Sequence, residues 1–324
     1  MLKYNCAQAS RDEWIATAET CPYATYFHTP YWYELIVPKQ KHRALSVRFD
    51  DGASAVVPFA EIRRAGGLLV DHFSSPGGNY GGWISGSVLN EEHVKILLGI
   101  LMSKKNLTFR VNPFDKSALP LAPPASEEFT HTLDLTLGEE ELYRRTSRCH
   151  KRGLRRAAGE GVTVEPVSSW EDWERYYRLY ESSLARWRAG GPELRTRNVY
   201  PMELFRRLYE NMSGHEILWL ARKGGEAVAG LLCFYWGRHS VSWHGAASAE
   251  FFDLRPNNIL YWEAIIDALR KGYEIFDFNP SGGYGGVESF KDRFGAERLP
   301  TPIITARSPL RRTIARLRGM GKGR

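Results

Sequence analysis

Residues 277–296 read DFNPSGGYGGVESFKDRFGA, the most informative segment of this 324-residue chain. A strand predicted over Tyr273–Phe278 runs into a glycine loop, and a short helix with Lys291 between aromatic residues follows. Glycines let a backbone approach a ligand closely and leave its amides available as donors. A lysine there can hold a phosphate or stabilise an oxyanion during acyl transfer. The other interpretation is a flexible turn followed by a surface lysine.

The first half of the chain predicts a strand hairpin over residues 43–63, followed by a glycine-rich loop at 74–82. Apolar residues at helical spacing then predict a helix over Glu91–Lys104. A strand over residues 107–111 follows and ends at Asn112-Pro113.

The second half repeats this order. Strands are predicted over 216–222, 227–236 and 239–246. A helix over Asn258–Lys271, capped by Asn257 or Asn258, leads to the strand that ends at Asn279-Pro280. The shared order indicates a tandem duplication of one α/β unit.

Proline-rich residues 120–124 are interpreted as the linker between the halves. We therefore expect a first domain over 1–122, a second over 123–306 that carries the reaction centre, and a basic tail over 307–324. After the linker, a strand at 131–135 leads to a helix opened by the capping box Thr136-x-x-Glu139. The inward face of that helix is predicted to be Leu142, Thr146, Cys149, Gly153 and Ala157.

Positive charge is concentrated in two segments of a chain with 44 Lys+Arg and 37 Asp+Glu. Residues 144–156 and 307–324 each hold seven Lys or Arg and no acid. Such segments suit phosphate-rich partners, namely nucleic acid, a nucleotide-linked substrate or an anionic membrane surface. The alternative is a pair of solvated helix faces.

Several enzyme classes are excluded by missing motifs. The chain has no G-x-S-x-G elbow, no Walker loop, no G-x-G-x-x-G and no H-E-x-x-H. Its four cysteines form no CxxC pair, so we expect reduced thiols, no bound metal and no resident cofactor. With no signal-peptide core and no apolar run of about 18 residues, a cytoplasmic protein is expected. An enzyme of this kind would join two bound substrates directly.

An ordered set of motifs spans nearly the whole chain. It comprises Phe27-His28-Thr29-Pro30-Tyr31-Trp32, the strand and basic helix of 133–162, Trp243-His244-Gly245-Ala246, Arg255-Pro256-Asn257 and Phe290-Lys291-x-x-Phe294-Gly295. In these elements the chain resembles the Fem-type (FemABX) aminoacyl transferases and their acetyltransferase-like relatives. The resemblance implies an α/β (α+β) fold of two tandem GNAT-like domains. Each is expected to be a mixed, mostly antiparallel sheet flanked by helices, without a long coiled-coil arm.

The resemblance also implies an activity. Fem-type enzymes move an aminoacyl group from aminoacyl-tRNA to an amine on the peptide of a cell-wall precursor. Their lysine in the Phe-Lys pair lies at the reacting centre, which makes Lys291 the first catalytic candidate, with Phe290 beside the substrate. Arg186 or Arg188 corresponds to the arginine that helps hold precursor phosphate. His244 stands where some members carry an aromatic hydroxyl and is the second catalytic candidate.

The proton acceptor is left open between His244, Asp277 and a group on the substrate, and Asp277 is more simply a cap for its loop. We expect the substrates to bind in a cleft between the domains. GNAT folds hold the donor pyrophosphate at the helix after the strand meander, which here begins at Arg255-Pro256-Asn257-Asn258. The further candidates for substrate contact are Asn79, Tyr80, Asn257, Asn258, Asn279 and Tyr284.

Two other functions fit the same sequence. One is an acyl-thioester-dependent N-acyltransferase in exopolysaccharide or envelope synthesis. The other is a catalytically silent module that binds tRNA or a nucleotide sugar. The tail Ser308–Arg318 is predicted as a basic amphipathic helix that touches the inner membrane or a tRNA backbone, or that simply packs on its own domain.

Overall fold

The computed structural model describes residues 2–67, 69–74, 76–118, 128–189, 199–210 and 213–308. The chain divides into two compact units. The first contains the residues up to Phe129 together with those from Leu299 onward, and the second is Thr130–Arg298. The predicted linker at 120–124 and the predicted tail helix beyond Ser308 lie outside the described residues.

The secondary structure is mixed α and β throughout. The strands are β1 (Tyr4–Gln8), β2 (Lys41–Phe49), β3 (Ser54–Arg64), β4 (Leu69–Ser74), β5 (Leu107–Arg110), β6 (Phe129–Asp134), β7 (Val162–Val167), β8 (Glu216–Lys223), β9 (Glu226–Trp236), β10 (His239–Ala247), β11 (Ile275–Asp277), β12 (Glu297–Pro300) and β13 (Ile303–Ala306). The helices are α1 (Arg11–Thr20), α2 (Pro30–Ile36), α3 (Glu91–Met102), α4 (Gly138–Arg145), α5 (Arg148–Gly159), α6 (Trp170–Ala189), α7 (Met202–Glu210), α8 (Pro256–Arg270) and α9 (Gly285–Asp292).

The first sheet has the order β1-β2-β3-β4-β5-β13. Its pairs are antiparallel except β4 with β5, which are parallel and joined through α3. Val94, Leu97 and Leu101 of α3 are fully buried in a core that includes Leu107 and Phe109 of β5. Asn90 starts the helix, because its side chain accepts hydrogen bonds from the backbone N–H groups of Glu92 and His93.

The second sheet has the order β12-β6-β11-β10-β9-β8-β7. It repeats the plan of the first, since three antiparallel strands (β8, β9, β10) lead through helix α8 to a strand, β11, that lies parallel to the third. This repeated topology confirms the predicted tandem fold of two mixed, mostly antiparallel sheets. Among the described residues the longest helix is α6, with 20 residues.

Strand β9 explains how the second sheet is covered. It is buried along almost its whole length because α6 and α8 both pack against it. A Cβ atom at Gly230 would lie 2.4 Å from a ring carbon of Tyr176 on α6, so only glycine lets this helix approach the strand so closely.

Several local predictions are wrong. The segment after β6 forms a 3-10 helix over Leu135–Leu137, which is followed by α4. Asp134 caps the 3-10 helix, so the predicted capping box at Thr136 is not formed. The basic segment forms two helices, α4 and α5, that break at Thr146, and Cys149 is exposed. Helix α8 starts after Arg255, which has a left-handed backbone (φ 59°), so neither Asn257 nor Asn258 caps it.

The boundary of the second domain also differs from the predicted residue 306. Strand β13 pairs with β5, with Ile303 opposite Arg110, and therefore completes the first sheet. Its four residues carry no local signal for that distant partner. No described helix combines the length and the apolar character needed to cross a membrane.

Candidate active site

The second unit contains a cavity where two parallel strands separate. On its β10 side, strand β11 pairs with the first three residues of β10, His239 to Val241. Beyond them, β10 bulges between Ser242 and His244 and continues alone on that side to Ala247. A cavity of about 530 Å³ lies along this part of β10. Its walls come from β10, α6, the start of α8, the loop after β11 and α9.

Lys291 of α9 forms part of the cavity wall and is only 4% exposed. Its Nζ atom donates a hydrogen bond to the main-chain oxygen of Asn279, at 2.5 Å. A buried ammonium is tolerated only when hydrogen bonds replace its hydration. The positive charge is therefore held at a defined point of the wall, where it can stabilise negative charge that develops in the cavity.

The loop between β11 and α9 has the conformation expected from its glycines. Gly282 and Gly283 have φ values of 63° and 78°, a region that favours glycine. Asp277 anchors the start of the loop, accepting hydrogen bonds from Thr130 Oγ1 (2.6 Å) and from the backbone N–H of Asn279 (2.8 Å). Because Asp277 is fully buried and does not line the cavity, it acts as the cap of its loop.

Two buried histidines hold α9 on either side of Lys291. His150 Nε2 lies 3.0 Å from the main-chain oxygen of Phe290, and His131 Nε2 lies 3.1 Å from Asp292 Oδ1. Burial lowers the pKa of both imidazoles to about 4, and the charge of Lys291 lowers the His131 pKa further. Both rings are therefore neutral at pH 7, and His150 donates Nε2–H to Phe290. They fix the helix without adding charge to the cavity wall.

His244 lines the cavity from β10 and is held by Tyr176, a fully buried residue of α6. The Tyr176 hydroxyl donates to the main-chain oxygen of His244 (2.8 Å), and its Oη lies 2.5 Å from Nδ1 of the same residue. Burial raises the pKa of Tyr176, so the phenol keeps its proton. Because that one proton goes to a carbonyl, Nδ1 must be the donor to Oη. The lone pair of the imidazole is then on Nε2.

Arg186 brings a second cation to the cavity. Its guanidinium donates to the main-chain oxygen of Ala247 and to Ser183 Oγ, both at 3.3 Å, and lies 4.9 Å from the ring centre of Phe252. Burial lowers the pKa of this guanidinium. Among the described residues, the cavity wall includes no carboxylate. The two cations therefore suit an electron-rich or phosphate-bearing ligand.

The sequence profile of a family described as Acetyltransferase (GNAT) domain matches residues 143–292. Residues 143–292, just under half of the chain, therefore form a GNAT-type domain. All lining residues in the part of the chain that the structure describes fall within this range, so the cavity belongs to the GNAT domain. The GNAT domain identifies the protein as an acyltransferase and confirms the predicted enzyme class.

Solved structures agree on the fold. A crystal structure of FemX is similar over 97% of this chain and 99% of its own, with 14% identity and a TM-score of 0.73. The C-terminal domain of a putative lysylphosphatidylglycerol synthetase from Agrobacterium fabrum covers 92% of this chain and 93% of its own (14% identity, TM-score 0.57). L-PGS from Bacillus licheniformis covers 86% and 92% (13% identity, TM-score 0.53). No curated protein sequence matches the chain. The predicted resemblance to the Fem-type fold is confirmed.

The GNAT domain brings together several of the predicted site residues. Lys291, Phe290, His244, Arg186, Asn257 and Asn279 all line the cavity. Arg188 is exposed and does not line it, and Tyr284 is the residue that precedes the first turn of α9. Asn258 is buried on the α5 side of α8, where a Cβ at Gly153 would lie 2.9 Å from its amide carbon.

The two candidates in the first unit have core positions. Asn79 is 3% exposed, and Tyr80 is fully buried with its ring centre 6.1 Å from that of Phe27 and 6.0 Å from that of Phe114. These contacts give Tyr80 a packing role in the first unit. The contact of Asn79 and Tyr80 with substrate stays a prediction, and so does the binding of substrates in a cleft between the domains.

We expect the stability of the GNAT domain to fall with acid because of His131 and His150. Their pKa values of about 4 in the folded chain lie below the ordinary value of about 6.5. Between those values the unfolded chain binds more protons, so the free energy of unfolding decreases as pH falls from 6.5 to 4, by at most about 3 kcal/mol for each histidine. Urea unfolding from about pH 7.5 to about 4.5 measures this change.

The control is the double variant His131→Gln/His150→Gln, which keeps a donor at each position but cannot be protonated in this range. Its free energy of unfolding should depend less on pH than that of the wild type. Parallel curves for the two proteins would contradict the assignment of two buried neutral histidines.

Proposed function

We propose that this acyltransferase moves an aminoacyl group from aminoacyl-tRNA onto an amine of a cell-wall or envelope precursor in the cytoplasm. The observation that carries the proposal is the buried ammonium of Lys291 in the wall of the GNAT-domain cavity. An ester carbonyl placed beside this group gains a donor for the oxygen that becomes negative during transfer. Two fold relatives are a domain of a putative lysylphosphatidylglycerol synthetase and L-PGS, which favours aminoacyl transfer over the transfer of other acyl groups.

The cavity also offers a place for a positively charged aminoacyl group. Lys291 and Arg186 are cations, but the cavity is also lined by aromatic side chains, whose ring faces have a negative electrostatic potential. These side chains are Tyr180, Trp187, Tyr200 and Trp243. The faces of such rings attract ammonium groups. The donor's α-ammonium is therefore assigned to the aromatic wall and its carbonyl to the side of Lys291.

The reaction follows from these positions. The acceptor amine attacks the ester carbonyl, a C–N bond forms, and the carbonyl oxygen becomes an oxyanion. Lys291 Nζ and the first-turn amide of Gly286, which also lines the cavity, stabilise that oxyanion. His244 Nε2 accepts the proton that the amine loses and passes it to the ribose oxygen when the C–O bond breaks. The products are an amide and a tRNA with its hydroxyl restored.

A second candidate is transfer from an acyl-thioester. The match of residues 143–292 to an acetyltransferase family favours it, and the same aromatic wall can hold an apolar acyl chain. The chemistry is unchanged except that a thiol is the leaving group. In this case, too, no resident cofactor is needed, because the thioester is a substrate.

The test offers purified full-length protein two donors, charged tRNA and acyl-coenzyme A, with a nucleotide-linked muropeptide that has a free amine as acceptor. Mass spectrometry of the acceptor reports amide formation. We expect an amide from charged tRNA only, and none with Lys291→Ala. Product from the thioester alone would establish the second candidate. Product from neither donor, across muropeptide and aminosugar acceptors, would contradict the proposed activity. The contact of residues 307–324 with the inner membrane stays a prediction.

A further inference from the structure

Helix α5 presents a row of arginines on the face opposite its buried side. The buried side consists of His150, Gly153, Leu154 and Ala157. The exposed side carries Arg148, Arg152, Arg155 and Arg156, spaced so that all four project within about 100° of the helix circumference. From first to last they extend along about 12 Å of the helix axis.

Two further exposed arginines lie next to this helix. Ser147, the N-cap of α5, donates its backbone N–H to the main-chain oxygen of Arg293, at 2.8 Å. Arg255 precedes α8, whose Asn258 packs against Gly153 of α5. The charges of Arg293 and Arg255 both help to lower the pKa of His150, after the larger effect of burial. We call the six residues Arg148, Arg152, Arg155, Arg156, Arg255 and Arg293 the arginine surface.

The arginine surface differs from most of the other exposed arginines of the same unit, although Arg178 and Arg188 are also exposed without an ion pair to a described carboxylate. Arg175, Arg206, Arg238 and Arg270 each form an ion pair with a carboxylate. None of the six residues of the arginine surface forms an ion pair with a carboxylate of the described part of the chain. Unneutralised arginines at this density repel one another, so the surface suits a ligand with several negative charges.

The arginine surface is connected to the cavity. Arg255 precedes Asn257 by two residues and Arg293 follows Lys291 by two residues, and both Asn257 and Lys291 line the cavity. A ligand on the arginine surface can therefore extend its end into the site of transfer. A thioester such as coenzyme A carries too few phosphates to engage a row of this length, whereas a nucleic-acid strand carries one phosphate per nucleotide.

We propose that the arginine surface binds the phosphodiester backbone of RNA and thereby directs the end of the strand into the GNAT-domain cavity. The inference rests on the proposed function in that the donor is a charged tRNA. Arginine suits this ligand because its guanidinium forms paired hydrogen bonds with phosphate oxygens. The contacts would be independent of base sequence.

The test measures binding of uncharged tRNA to the full chain at several salt concentrations. In the variant R148Q/R152Q/R155Q/R156Q, we expect affinity at low salt to fall at least about tenfold. The slope of log K against log salt should become less steep by about 3 to 4. The matched control R175Q/R206Q/R238Q/R270Q removes the same charge from the same unit and should leave both quantities within about twofold of the wild type.

A second measurement uses the cysteines. Cys149 lies on α5 beside the row and is exposed, as is Cys6 of β1, whereas Cys21 and Cys233 are buried. Saturating tRNA should slow maleimide modification of Cys149 more than that of Cys6. Equal rates at Cys149 with and without RNA would contradict the assigned surface.

Unchanged RNA affinity and salt slope in the α5 variant, or equal losses in the control, would overturn the proposal. A loss of binding to phosphatidylglycerol vesicles with RNA binding intact would overturn it in favour of a membrane surface. The assay needs no transfer, so the two proposals fail separately. Binding of RNA to the arginine surface without amide formation would refute the proposed function alone, and tRNA-dependent amide formation by an unimpaired α5 variant would refute the arginine surface alone.

Discussion

Lys291→Ala is expected to lower kcat by about 100- to 1000-fold while donor affinity stays within about tenfold of the wild type. Lys291 is 4% exposed, donates to the main-chain oxygen of Asn279 and lines the cavity beside the part of β10 that β11 does not reach. Its charge contributes most when the carbonyl oxygen becomes negative, so its loss affects the transition state more than the ground state. Single-turnover amide formation and equilibrium donor binding measure the two effects.

Two control variants distinguish loss of the ammonium from a failure of Lys291→Ala to fold. Lys291→Met keeps most of the side-chain volume and removes only the charge, and it should lose as much activity as Lys291→Ala. Lys271→Ala removes the lysine that follows α8 and is paired with Asp267, and it should retain full turnover. If folded Lys291→Met kept kcat within about threefold, the ammonium would have no part in stabilising the oxyanion.

His244→Gln is expected to reduce kcat by about 100-fold or more, because the amine then has no positioned base to accept its proton. Tyr176→Phe keeps the packing of α6 on β9 but removes the hydroxyl that holds Nδ1 of His244. We expect a fall of about tenfold in kcat, with a change in the pH–rate profile, since the tautomer is no longer fixed. Tyr176 is thus a positioning residue.

The control for Tyr176→Phe is Tyr177→Phe on the same helix, whose hydroxyl contacts the main-chain oxygen of Tyr200, at 3.5 Å, rather than His244. It should leave kcat and its pH dependence unchanged. A Tyr176→Phe enzyme with reduced kcat and an unaltered pH–rate profile would show that the hydroxyl has a structural role only.

Much of the fold is predictable because its signals are local. The apolar stripe of residues 91–104 predicts α3, found at Glu91–Met102, and the runs at 227–236 and 239–246 predict β9 and β10 nearly to the residue. The same order of predicted strands and helix in both halves predicts the duplication. Short elements are different. Strand β13 has four residues, and its position is determined by pairing with β5, not by its own composition.

In the candidate site, too, some residues are predictable from local sequence and others are placed by distant contacts. Lys291 and Phe290 are predictable because a glycine loop and aromatic residues surround them in sequence. His131, His150 and Tyr176 are not, since each is defined by a hydrogen bond to a residue 161, 140 or 68 positions away. Cys149 is wrongly predicted to be buried because the break at Thr146 starts a new helix with its own inward face.

The measurement that bears most directly on the role of Lys291 is a crystal structure with a non-hydrolysable aminoacyl-adenosine, whose amide replaces the ester of charged tRNA. We predict that its acyl carbonyl oxygen lies about 3 Å from Lys291 Nζ, inside the cavity of the GNAT domain. An analogue bound elsewhere, or one whose carbonyl lies beyond hydrogen-bond distance of that ammonium, would contradict it.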